Sequence, residues 1–133
     1  MTTLAAFYAA LSTLTVAGTA RLTEPPLKVE TAQMPALFVD TVSATDVSSH
    51  KGNRGGNRTL TGRVVVLMGV AGQDLHATRW SETIAMADTL TAALVAMTNP
   101  TGAGLLSWDV NVTPNLDNSG YWAVFANVTA TEW

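Results

Sequence analysis

The chain has 133 residues, 47% of them apolar and only 13% charged, with a net charge of −3 and no cysteine. That length suits one domain able to bury a core without staples. The missing thiols exclude disulfides and thiolate metal sites, and the acidic balance leaves no basic field for nucleic acid. Soluble domains carry about 25% charged residues, so the shortfall needs a source. Either part of the surface meets another subunit, since interface cores are poor in charge, or Thr, Ala and Asn supply an uncharged surface.

Thr2 or Thr3 caps a first helix expected to run to about Thr15. Leu4, Phe7, Tyr8, Leu11 and Leu14 fall on one face, and Gly18 is the natural stop. The opening "MTTLAAFYAALSTLTVAG" lacks a basic start and has Thr and Ser within its apolar run, which reads against an export signal. No stretch is long and apolar enough to span a membrane. Glu24, Pro25 and Pro26 then force extended backbone, so residues 19–35 read as an extended crossing with a short edge strand. Pro35 precedes a strand expected over Ala36 to Val42. The Ser-, Gly- and Asn-rich run "SATDVSSHKGNRGGNRTL", residues 43–60, reads as a flexible loop carrying Lys51, Arg54 and Arg58, three of the 7 basic residues.

Thr59 to Val70 reads as a strand, and "RVVVLMGV" is apolar on both faces, which places it centrally under two covering layers. A second helix is expected over 79–98, with Trp80, Ile84, Ala87, Leu90 or Thr91, Leu94 and Met97 as its buried stripe. Asn99 and Pro100 stop it. Leu105 to Thr113 alternates, with Leu106, Trp108, Val110 and Val112 facing in. "PNLDNSG" makes a hairpin turn into Tyr121 to Thr131, whose inward row is Trp122, Val124, Ala126 and Val128. The expected fold is a single α+β domain over 1–133: a mostly antiparallel four-stranded sheet with two helices packed on it, in the order α-β-β-α-β-β.

Chemistry-bearing patterns are sparse. His50 and His76 are the only histidines; Asp74 near His76 makes two groups, and a metal site needs more. "KGNRGGNR" has glycines and cations but not the order of a phosphate loop, and no helix start follows it. Asp109 and Asp117 flank a turn rather than a cleft. Three Asn-x-Thr triplets read as a composition effect. No catalytic, cofactor or metal site is expected, and the chain does not read as an enzyme. Trp133, a large aromatic at the last position, reads as frayed or pressed against a partner.

A short amphipathic helix, then "ARLTEPPLKVETAQMPALFVD", a loop, the "RVVVLMGV" strand and a long helix with "ADTLTAAL" together resemble the tail terminator (tail completion) proteins of long-tailed bacteriophages, of the lambda type. Glu24-Pro25-Pro26 and Met34-Pro35-Ala36-Leu37-Phe38 fill the places of that group's polar-Pro-Pro segment and of its turn into the first strand. The resemblance covers most of the chain in length and element order. It implies a structural virion protein of the tail neck, assembled in the bacterial host cytoplasm. Such a protein forms a homohexameric ring that caps the tail tube, ends tail polymerisation and joins the tail to the head-side connector. The partners implied are further copies of the chain, the tail tube protein and a connector or stopper protein, with DNA passing through the ring without specific binding. Lys51, Arg54, Arg58, Glu24, Pro25, Pro26 and Trp133 are the expected assembly-interface residues. The alternatives are another neck component, a head-completion or stopper protein, or a small α+β ligand-binding module.

Overall fold

The computed structural model describes residues 2–22, 35–47, 57–70, 77–97, 105–114, 116 and 121–132. Helix α1 (Leu4–Ser12) starts at Thr3, whose hydroxyl accepts from the Ala6 N–H at 3.1 Å. It ends three residues earlier than expected. Thr13, Thr15 and Val16 are β-branched, and the Thr13 hydroxyl donates to the Ala10 carbonyl at 2.8 Å, so the side chain competes for helical backbone. Leu14 and Val16 are nonetheless buried, in irregular backbone. Gly18 has φ +81° and shapes the turn that follows, closed by Thr19 bonding back to the Val16 carbonyl.

Strand β1 (Ala20–Arg21) then pairs parallel with the start of β2 (Ala36–Val47), which confirms a short edge strand within the crossing. Strands β2, β3 (Asn57–Val70), β4 (Leu105–Thr113) and β5 (Tyr121–Glu132) form an antiparallel set, and the whole sheet runs β1-β2-β3-β5-β4. Helix α2 (Ala77–Ala96) lies between β3 and β4 in the chain. The fold is the expected α+β arrangement, with β1 added at the edge.

The 43–60 loop is shorter than expected. The β2–β3 ladder continues unbroken from Thr41↔Arg63 to Val47↔Asn57, so 43–47 and 57–60 are strand. The polar composition hid a real alternation: Val42 and Ala44 face the helices while Thr41, Ser43 and Thr45 face away. A hairpin partner supplies the ladder bonds that composition alone does not reveal. Residues 48–56 lie outside the described residues.

Both helices cover one face of the sheet, α1 over β2 and β3, α2 over β4 and β5. Phe7, Leu11, Leu90 and Leu94 meet Leu60, Val64, Val66, Val124 and Val128 there. A bulge at Asp40 makes this possible. Leu37 and Val39 face the helices before it, and Val42 and Ala44 after it; only an extra residue switches the parity. On the opposite face a second cluster of Ala36, Phe38, Val65, Leu67 and Ala123 is closed by Leu22 and Leu116. Val64 to Leu67 are therefore buried on both sides, as a central strand should be. On α2 the buried line is Thr83, Leu90 and Leu94, whereas Ile84, expected inside, is 47% exposed.

Candidate assembly surface

Of the expected interface residues only Arg58 falls among the described residues; Glu24, Pro25, Pro26, Lys51, Arg54 and Trp133 lie outside them, as do His50, His76 and Asp117. Arg58 is a strand residue, not a loop-tip cation. It stands in β3 opposite Asp46 of β2 and opposite Glu132 of β5. Its guanidinium lies 3.5 Å from the Asp46 carboxylate and is itself largely covered. The ladder places it between two acids, so its charge is engaged within the subunit.

Glu132 also ties the two ends of the described chain together. The Thr2 backbone N–H donates to both carboxylate oxygens at 3.0 Å, and the Thr2 hydroxyl donates to one of them. These three bonds, the hydroxyl's first, and more weakly the nearby Arg58 charge hold the Glu132 carboxyl below the usual carboxylate range. A lowered folded pKa stabilises the fold at pH above the unfolded value of about 4.5, and that contribution is lost as pH falls through the folded value. Wild type should lose denaturation midpoint more steeply than Glu132→Gln on acidification below about pH 4.5. Parallel profiles would show that the clasp does not sense pH.

The sheet face away from the helices divides in two. Past the apolar cluster, partly or fully exposed side chains form cross-strand rows made mostly of hydroxyls and amides. One row runs Thr41, Arg63, Asn127, Asp109; the next Ser43, Thr61, Thr129, Ser107; the last Thr45, Thr59, Thr131, Leu105. The Ser43 and Thr61 hydroxyls are 2.6 Å apart. Asp109 accepts from Asn111 at 2.7 Å and from Asn127 at 3.0 Å. A shallow depression of about 370 Å³ lies over Thr41, Ser43, Thr61, Arg63 and Asn127. Thr and Ser thus supply most of the polarity of this face, beside the charges of Asp40, Arg63 and Asp109.

Arg63 marks the boundary between the two halves. Its guanidinium pairs side-on with the carboxylate of the bulged Asp40, and its Cζ sits 5.7 Å from the centre of the Phe125 ring. The side chains are 20% and 15% exposed, so the pair is only weakly screened. A double-mutant cycle of Asp40→Asn and Arg63→Gln should return a coupling of about 1 kcal/mol or more, because the two groups share bidentate bonds. Additive effects would show that the bulge stands without the pair. The sequence held a signal for this face, since Thr recurs at every second position in "RTLTGR" and "NVTAT", but only the register aligns the strands into rows.

Among the described residues no group of three metal-ligating side chains comes together, and no helix is long and apolar enough to cross a membrane. In comparisons with known proteins, no described protein family matches this sequence and no curated protein matches it.

Proposed function

We propose that this protein is a tail terminator of a long-tailed bacteriophage: a structural, non-enzymatic subunit that forms a ring, caps the tail tube and receives the head-side connector. The observation that carries the reading is the element order α-β-β-α-β-β, with both helices on one face of an antiparallel sheet. In the resemblance's Met-Pro-Ala-Leu-Phe segment, Ala36-Leu37-Phe38 begin β2, while Glu24-Pro25-Pro26 lie outside the described residues. A shortage of charge supports a subunit whose surface is shared with other copies.

The test is tube growth. Tail tube protein is polymerised with and without this chain, and tube lengths are measured by electron microscopy. Tubes that stop growing with this protein at one end support the reading. Tubes of unchanged length, with the protein left unbound, sink it. Arg58→Ser should disturb the β2–β3–β5 ladder rather than tube capping, because its partners are Asp46 and Glu132 of the same subunit.

A further inference from the structure

Among the described residues the sheet ends in two edges with no further strand beside them. Among the described residues β4 pairs only with β5, and β2 beyond Leu37 pairs only with β3. Soluble proteins protect exposed edges with Lys, Pro, bulges or very short strands. Strand β4 uses none of these: it is nine residues long, its ladder to β5 has no register shift, and it contains no Lys, Arg or Pro. Its one charge, Asp109, is held by Asn111 and Asn127. The free length of β2 after its bulge, Thr41–Val47, is also unbroken, and its acid Asp46 is paired with Arg58.

The apolar rows on these two strands are incompletely covered. On β5 the helix-facing Val124, Ala126, Val128 and Ala130 are fully buried. On β4, Leu106, Trp108, Val110 and Val112 reach only half-burial, and so do Val42 and Ala44 on β2. Among the described residues, each edge therefore lacks a lateral neighbour for both its backbone and its side chains.

The topology specifies which neighbour fits. Three successive antiparallel pairings make β2 and β4 run in opposite directions. A cyclic rotation about an axis along the strands brings β2 of one copy beside β4 of another, antiparallel, with the helices of both on the same side. We infer that copies of this chain associate head to tail, the edge of β4 pairing with Thr41–Val47 of the next copy. Val42 and Ala44 then lie beside the half-buried row of β4, and Ser43 and Thr45 beside Ser107 and Asn111. This deepens the ring reading and rests on it only for closure. A two-fold pairing of β4 with a second β4 would leave every β2 edge open and bring two Asp109 side chains near the axis.

The absence of native cysteine makes the test clean. Cysteine is placed on β2 (Ser43→Cys or Thr45→Cys), on β4 (Ser107→Cys or Asn111→Cys), or on both, at outward-facing positions away from the core. After oxidation at high protein concentration, a non-reducing gel should show a ladder of covalent multimers for at least one β2/β4 combination and monomer for every single variant. Dimers from a single β4 variant would overturn the inference in favour of two-fold pairing, and no cross-link in any combination would overturn it outright. Asn111→Lys, a charge set on the edge, should abolish the association while leaving the melting temperature unchanged; persistence of the association also counts against it. The native mass of wild type separates the two readings. A discrete ring without β2/β4 cross-links removes the edge pairing and keeps the ring, whereas cross-linked ladders that never close keep the pairing and remove the ring.

Discussion

Gly62→Val is expected to destabilise the protein by about 3 kcal/mol, the upper range for overpacking a filled core. Gly62 faces the helices in the middle of β3, and a Cβ built there would meet Leu11 Cδ1 at 2.4 Å and Phe7 Cε2 at 3.1 Å. Both side chains belong to α1 and are buried, at 2% and 0% exposure, so neither can swing aside into solvent. The missing side chain is what lets α1 lie directly on the sheet. Chemical denaturation measures the loss. Adding Leu11→Ala removes the nearest clash, so the double variant should lose clearly less than the sum of the two single losses. A purely additive result would mean that close approach is not why glycine sits there.

Leu94→Ala should cost about 3 kcal/mol, and Leu90→Ala a similar amount, as for large-to-small changes at fully buried sites. These are the two leucines of α2 with no exposure, and they anchor the helix over β4 and β5. Ile84→Ala and Val95→Ala, at 47% and 67% exposure, should each stay within about 0.5 kcal/mol. The contrast reports the rotation of α2 about its axis. If Ile84→Ala proved as damaging as Leu94→Ala, the helix would instead bury the stripe expected from its sequence.

That stripe shows where periodicity stops being informative. Steps of three and four from Trp80 run equally well through Thr83 or Ile84, and hydropathy favours Ile84. Thr83 is the buried one. Helical spacing allows two neighbouring stripes about 100° apart, and the choice between them is made by where Leu90 and Leu94 must point to reach the sheet. The candidate surface was less legible still. The Gly- and Asn-rich surroundings of Arg58 read as loop, yet cross-strand partners at Asp46 on the hairpin strand and at Glu132 near the far end of the chain make it part of a ladder. Arg63 and Asp40 are separated by 23 positions and meet only because β2 and β3 pair in the register that sets them side by side.

By itself the sequence determined what local periods can encode. Two helices, a strand buried on both faces at Val64–Leu67, and the inward rows of β4 and β5 all follow from spacings of 3.6 and 2 residues that hold in any packing. The tertiary structure alone decided the strand order β1-β2-β3-β5-β4, the bulges in β2 and β3, the Thr2–Glu132 clasp and which strands stand at the edges among the described residues. These depend on contacts between residues far apart in the chain. Such contacts are selected by how two apolar faces and their backbone ladders fit together, and no short window of sequence contains both halves of that fit.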